Sequence, residues 1–244
     1  MRLNPSIAPL VAGLLASSAV LADGYQGDLG LGVFSHQGTY RGESAQTSVL
    51  PYVYGEWGDF FGRVDTFGYR VMPMGQGFLE VGTRIVQDEM ESSRLKRAGV
   101  RDRDNSLMLG VSTFQVTSLG AISMSLMQDV GDSEGQVLNV SWIGAFKPTA
   151  WLSVYPELGL EVMSSKYTRY YFGTRAGEGG YAAYKPGLAA NPYFAIHAGM
   201  PIAADWNLAV TVRNKALSEE ISDSPIVART GRWNTYVAVS YDFK

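Results

Sequence analysis

Two histidines, His36 and His197, are the only imidazoles in 244 residues, and cysteine is absent. A metal site would need carboxylates to complete it, because no element carries two histidines at ligand spacing. Without cysteine there is neither a thiolate nucleophile nor a disulfide framework. His36 lies near Asp28, Ser35 and Ser44 in the sequence, the residue types from which lipases and acyltransferases assemble nucleophile and base. No Gly-x-Ser-x-Gly elbow accompanies them. His197 shares an alternating face with Tyr193, Ala195 and Gly199, from which it can pair with a Ser or Asp, although a packed wall histidine is the simpler reading. Gly30 and Gly32 imitate the start of a dinucleotide fingerprint, but neither the third glycine nor a following helix is there. The expectation is therefore no catalytic set, no cofactor and no metal.

The charged residues say more. Glu80, Arg84, Glu157, Glu161 and Arg213 fall on the less apolar faces of alternating runs. In a closed sheet such charges either line a solute-selecting pore or pair into a salt-bridge network that plugs it. Mixed signs favour the network. Arg94, Lys96, Arg97, Arg101 and Arg103 form a basic run interleaved with Glu91, Asp102 and Asp104. A solvated loop is one reading; a contact for lipopolysaccharide or a partner protein is the sharper one. The whole chain carries a formal charge of −3, which argues against nucleic acid as a partner.

The elements that must hold these residues are strands. Leu152, Val154, Pro156, Leu158, Leu160 and Val162 alternate with Trp151, Ser153, Tyr155, Glu157, Gly159 and Glu161, an apolar face opposite a mostly polar one. The same period of two recurs at Leu107 to Val111, Ile122 to Leu126 and Leu208 to Val212. Strands are expected at Asp28 to Ser35, Thr47 to Trp57, Phe60 to Val71, Phe78 to Gln87, Ser106 to Val116 and Ala121 to Val130. Further strands are expected at Gln136 to Lys147, Trp151 to Met163, Pro192 to Met200, Trp206 to Asn214 and Trp233 to Phe243. Runs of about 10 residues or more exceed the usual soluble strand and match a tilted membrane-crossing one. Residues Ile7 to Ala22, apolar or small and preceded by Arg2, read as a secretory signal peptide spanning 1–22, which leaves 23–244 as one folded unit. After Ala22 no apolar window is long enough for a transmembrane helix, and no helical stripe stands out.

Short connections alternate with long ones at Asp88 to Asp104, Ser164 to Asn191 and Lys215 to Gly231, as in outer-membrane barrels, whose turns are short on the periplasmic side. A barrel with both termini in the periplasm needs an even strand number. The expectation is thus an all-β transmembrane antiparallel up-and-down barrel of 12 strands, with 10 as the alternative. The miscounted strand should lie between Phe60 and Gly77, or else an extra one lies in Tyr167 to Tyr184. Trp57, Phe60, Phe61, Trp142, Trp151, Trp206, Trp233 and Tyr241 near strand ends fit aromatic girdles. A soluble β-sandwich or lipocalin-like barrel is the competing fold.

Three stretches carry a family resemblance: Asp28 to Val33; Leu50, Pro51 and Tyr52 leading to Gly58, Asp59, Phe60 and Phe61; and Phe67 to Arg70. The most specific segment is Tyr170, Tyr171, Phe172 and Gly173 followed by Gly180 to Gly187. On these residues the chain resembles the MipA/OmpV outer-membrane proteins across nearly all of its mature length. The resemblance implies a non-enzymatic barrel in the outer membrane, scaffolding peptidoglycan-synthesising and peptidoglycan-cleaving enzymes, with a murein transglycosylase and a penicillin-binding protein as partners. For other members it implies a porin-like channel or an adhesin. Gly38, where the family's first loop often has proline, and the terminal Lys244 depart from the pattern.

Overall fold

The computed structural model describes residues 24–86, 88 and 90–244, so the expected leader at 1–22 lies outside the described residues. Thirteen strand segments follow in order: β1 (Tyr25–His36), β2 (Gln46–Trp57), β3 (Phe60–Arg63), β4 (Thr66–Met74), β5 (Gly77–Val86), β6 (Ser106–Thr117) and β7 (Gly120–Asp129). Then come β8 (Gln136–Ile143), β9 (Phe146–Thr149), β10 (Leu152–Met163), β11 (Ala189–Ala203), β12 (Trp206–Ala216) and β13 (Gly231–Phe243). Each pairs antiparallel with its neighbour, and β13 returns to β1 with Leu31 opposite Val239, which closes the sheet. Segments β8 and β9 both pair with the same edge of β10, so they are two halves of one stave, interrupted at Gly144 and Ala145. The result is a closed 12-stranded antiparallel barrel.

The parity question resolves where it was expected. The run from Phe60 to Val71 is a hairpin rather than one strand, with Arg63 opposite Thr66 and a tight turn at Val64 and Asp65. Val64 has φ of 62°, in the left-handed region where β-branched residues are strained. Asp65 is the one turn-favouring residue here, too weak a signal without Gly, Pro or Asn, and alternation runs through it. The stretch Tyr167 to Tyr184 contains no barrel strand. It begins in a helix instead.

Alternation decides which face meets lipid. Val33, Leu109, Leu126, Leu158 and Ile196 are exposed outward, as the wall of a protein in hydrocarbon must be. Trp57, Phe60, Trp142, Trp151, Trp206 and Trp233 are exposed too, but Phe61 is buried inward, where the Arg63 guanidinium sits 4.2 Å above its ring. Two glycines make room for rings laid flat against the inner wall. A Cβ on Gly32 would come within 2.6 Å of the Tyr236 ring, and one on Gly159 within 2.2 Å of Tyr193.

The apolar core lies outside the tube. Tyr40, Leu95, Tyr167, Tyr171, Ile221 and Ile226 pack together where the long loops meet, above Met108, Met127 and Met163 near the upper ends of the staves. Three short helices build this cap: α1 (Ser93–Arg97), α2 (Ser165–Phe172) and α3 (Glu219–Ser222). Ser92 caps α1 by accepting from the Leu95 amide at 3.3 Å. In α2 the i, i+4 pair Tyr167 and Tyr171 faces the core. Helices this short have no stability of their own and depend on that packing.

Replacing Val64 by Asn, which tolerates the left-handed region, should stabilise the barrel by about 1 kcal/mol. The readout is urea unfolding in lipid vesicles; an unchanged or lower midpoint would contradict the left-handed turn.

Candidate functional site

The inner surface is built from rows of three residues across neighbouring strands. Glu157 on β10 stands opposite Ala195 on β11, which stands opposite Arg213 on β12. The alanine methyl leaves space for the flanking charges to meet above it, with Arg213 Nη2 donating to Glu157 Oε2 at 3.0 Å. Two residues along β11 in either direction, the same face carries Tyr193 and His197. The Tyr193 hydroxyl donates to Glu157 Oε1 at 3.0 Å, and His197 Nε2 lies 3.0 Å from Glu157 Oε2. His197 Nδ1 lies 2.9 Å from Thr211 Oγ1. The Arg213 guanidinium also covers the Tyr193 ring at 4.7 Å.

A second row places Arg70 opposite Glu80 and Glu80 opposite Ser112. Glu80 is only 1% exposed. Its carboxylate receives a bidentate pair from Arg63 at 2.8 and 2.7 Å and a hydroxyl from Ser112 at 3.0 Å, the geometry for which a guanidinium is shaped. Arg70 turns instead to Glu56. Arg84 donates to Thr66 Oγ1 at 2.9 Å and faces Asp65 at 3.7 Å. Glu161 pairs with Lys215 at 2.6 Å. Glu80, Arg84, Glu157, Glu161 and Arg213 therefore all engage opposite charges on the inner face, in two groups centred on different strands. Their partners Arg63, Asp65 and Lys215 escaped sequence reading, because cross-strand register is set by the fold; His197 lies on the face that alternation gave it, but its acidic partner is Glu157 rather than an Asp.

The cap closes over the long-loop mouth. Asp88, at the top of β5, is buried and receives Arg232 Nη1 at 2.8 Å and the Tyr167 hydroxyl at 2.9 Å. The Tyr40 hydroxyl donates to the carbonyls of Asp88 at 3.2 Å and of Tyr171 at 3.1 Å, tying the first loop to α2. Burial alone would raise the Asp88 carboxyl, but Arg232, Lys215 and the Tyr167 hydroxyl outweigh it and hold it below its ordinary value. Burial, reinforced by Asp88, pushes the hydroxyls of Tyr40 and Tyr167 well up, so both stay protonated donors. Arg103 is enclosed and donates to the carbonyls of Tyr170 at 3.1 Å and Gly173 at 2.8 Å, with Glu178 3.5 Å away.

That burial corrects the reading of the basic run. Arg103 is a strut inside the cap rather than a solvated or partner-facing charge, whereas Arg94, Lys96 and Arg97 are exposed on α1. His36 is likewise far from a hydrolase set. Asp28 lies at the opposite end of β1, bonded to Asn207 at 3.0 Å and Ser240 at 2.8 Å, while His36 faces a small recess lined by Asp88, Arg232 and Tyr40. Among the described residues no cluster of His and acidic side chains could hold a metal.

Asp88→Asn removes the charge opposite Arg232 inside a closed core and should cost the cap about 3 kcal/mol. Proteolytic nicking within 88–104 or 164–188 should accelerate while the barrel stays intact; equal rates would place the cap's strength elsewhere. Because folding lowers the Asp88 pKa, its contribution is complete above its ordinary 3.8 and is lost as pH falls through the lowered folded value. Acid, not base, should loosen the cap in the same assay.

The family model described as MltA-interacting protein MipA matches residues 29–243. The putative outer membrane protein YiaT of Escherichia coli (strain K12) is 25% identical over 254 residues, covering 100% of both chains. The MltA-interacting protein of the same organism is 29% identical over 147 residues, 59% of this chain and 58% of that one. Among solved structures, the outer membrane channel DcaP of Acinetobacter baumannii aligns over 89% of this chain and 96% of that chain with a TM-score of 0.38 at 7% identity. A barrel that closes on itself, bears its apolar side chains outward and matches the family model over residues 29–243 is an outer-membrane protein, and this chain belongs to the MipA family.

Proposed function

We propose that this chain is a non-enzymatic anchor in the outer membrane that holds a murein-cleaving transglycosylase near its substrate, with a penicillin-binding protein as a second partner. The observation that carries the reading is closure: the outer mouth is roofed by a packed cap, and Glu80, Glu157 and Glu161 in the lumen are each matched by a cation. A pore that selects ions by its charged side chains needs unpaired charge along its path; paired charges stiffen the tube instead. The name of the relative, MltA-interacting protein, points to the same partner class. The surface facing the cell wall consists of the short turns at the uncapped end of the barrel, with Leu119 at a turn tip 79% exposed. Outer-leaflet lipid surrounds the wall, and the exposed Arg94 and Arg97 of α1 suit the phosphates of lipopolysaccharide.

Catalysis has one superficial candidate. Thr211, His197 and Glu157 line up in the order of nucleophile, base and acid. Glu157 is already engaged by Arg213 and Tyr193, however, and serves the wall. His36→Ala and His197→Ala should leave lipid turnover unchanged.

Affinity capture with the detergent-solubilised barrel should enrich a murein transglycosylase and a penicillin-binding protein from envelope extracts. Recovery of neither above background would sink the anchor reading. In planar bilayers the purified protein should be silent at all voltages. Steady conductance whose ion selectivity changes with Glu157→Gln would favour a diffusion channel instead.

A further inference from the structure

The wall is incomplete on one side. Segment β3 pairs with β2 only from Tyr54 to Trp57, so among the described residues the edge of β2 from Gln46 to Val53 has no strand beside it above the β3–β4 hairpin. On the far side of the gap, Ile85 and Val86 of β5 likewise extend beyond β4. Phe60, at the foot of the hairpin, is exposed with Trp57 in the aromatic belt. The tip is three residues higher, or about 10 Å along the strand. The turn therefore sits within an apolar band roughly 25 Å tall.

Open sheet edges and irregular backbone do not face hydrocarbon; at that depth they must be buried in protein or line a water-filled space. The floor of this gap is polar. Asp65 has a side chain 57% exposed and lies 3.7 Å from Arg84, while Arg63 is held by Glu80. The rim is apolar, with Val49 and Ile85 exposed, and Tyr52 and Tyr54 lie on the lumen face of β2. Above the gap, Ser92 Oγ donates to the Arg41 carbonyl at 2.6 Å and the Glu91 amide to Glu43 at 2.8 Å, so the cap is fastened across the top.

The free edge is also unfit for another strand. The Val53 carbonyl already accepts the Val64 amide at 2.8 Å. Pro51 has no amide hydrogen, and its carbonyl accepts the Tyr236 hydroxyl at 3.2 Å, delivered across Gly32 by a ring stacked on Tyr52. Strand addition needs an unbroken row of donors and acceptors, and here two successive positions are spent. Proline on an edge is a recurrent guard against such pairing.

We propose that the gap is a lateral portal joining the hydrated lumen to the outer leaflet, passed by small amphipathic molecules with an aromatic or alkyl body and one uncharged polar group. The apolar rim and the tyrosines accept the body. Because Arg84 meets Asp65 and Arg63 meets Glu80, the floor offers hydrogen bonds without net charge, which disfavours ions. The portal goes beyond the anchoring role and does not depend on it.

The chain has no native cysteine, so Asp65→Cys places a unique thiol on the floor. Cells producing the unaltered protein should take up the fluorescent amine N-phenyl-1-naphthylamine several-fold faster than cells without it, and cells producing the variant, in which Arg84 loses its carboxylate partner, should fall between the two. Alkylation by a bulky, charged maleimide should return uptake to background in the same folded molecules. Three results would overturn the proposal: equal uptake with and without the protein, no effect of the bulky adduct, or no alkylation of the lipid-embedded thiol, which would mean a dry floor. A Pro51→Cys variant that forms disulfide-linked dimers in the membrane would give the edge to a second copy instead. None of these outcomes depends on transglycosylase capture.

Discussion

Hydrocarbon offers no hydrogen-bond partner, so a strand that enters a bilayer must find its backbone partners in other strands. That constraint accounts for the closure of β13 onto β1, residue by residue from Gly27 with Phe243 to His36 with Asn234. It also explains why side-chain interactions on the inner face can be sparse and polar without the fold failing. The ladders hold the tube, and strand number with stagger sets its diameter; Glu157 with Arg213 and Arg63 with Glu80 brace its inner face. Where the ladder is missing, beside β2, two positions are satisfied by other means: Val64 donates to Val53, Tyr236 donates to Pro51, and proline removes a donor altogether.

The same constraint separates two kinds of stability. Lipid is as apolar as leucine, so outward residues such as Leu109 and Leu158 gain nothing from packing within the protein. Water returns at the long-loop end, and there burial of apolar side chains again drives folding. The cap around Tyr167, Tyr171, Ile221 and Ile226 is a small water-soluble core set on a membrane wall. Its buried polar members are matched closely, since a lone Asp88 or Arg103 would be costly in that setting. The family-like segment from Tyr170 to Gly173 lies in this cap, so that part of the resemblance reflects loop packing rather than the wall.

The inner charges show how far residue types go in locating a site. Period-two reading placed Glu80, Arg84, Glu157, Glu161 and Arg213 on polar faces, because the face of a strand residue follows from counting alone. Their partners lie on strands separated in sequence: 17 positions for Arg63 with Glu80 and 56 for Glu157 with Arg213. Only register brings them together. Asp88 was missed because it reads as one more loop acid, and Arg103 because basic runs usually remain in water.

What the sequence determined by itself was the class of fold and its habitat. Alternating long runs, aromatic strand ends and alternating short and long connections depend only on local counting and on the thickness of a bilayer. The even strand number was legible as a requirement and Phe60 to Gly77 as the place to look, but the hairpin itself was not, because Asp65 alone is too weak a turn signal to interrupt the alternation. Tertiary structure alone decided the cap, the charge pairing and the gap beside β2. Each depends on which distant segments end at the same height around the barrel, a consequence of strand register that no local pattern encodes.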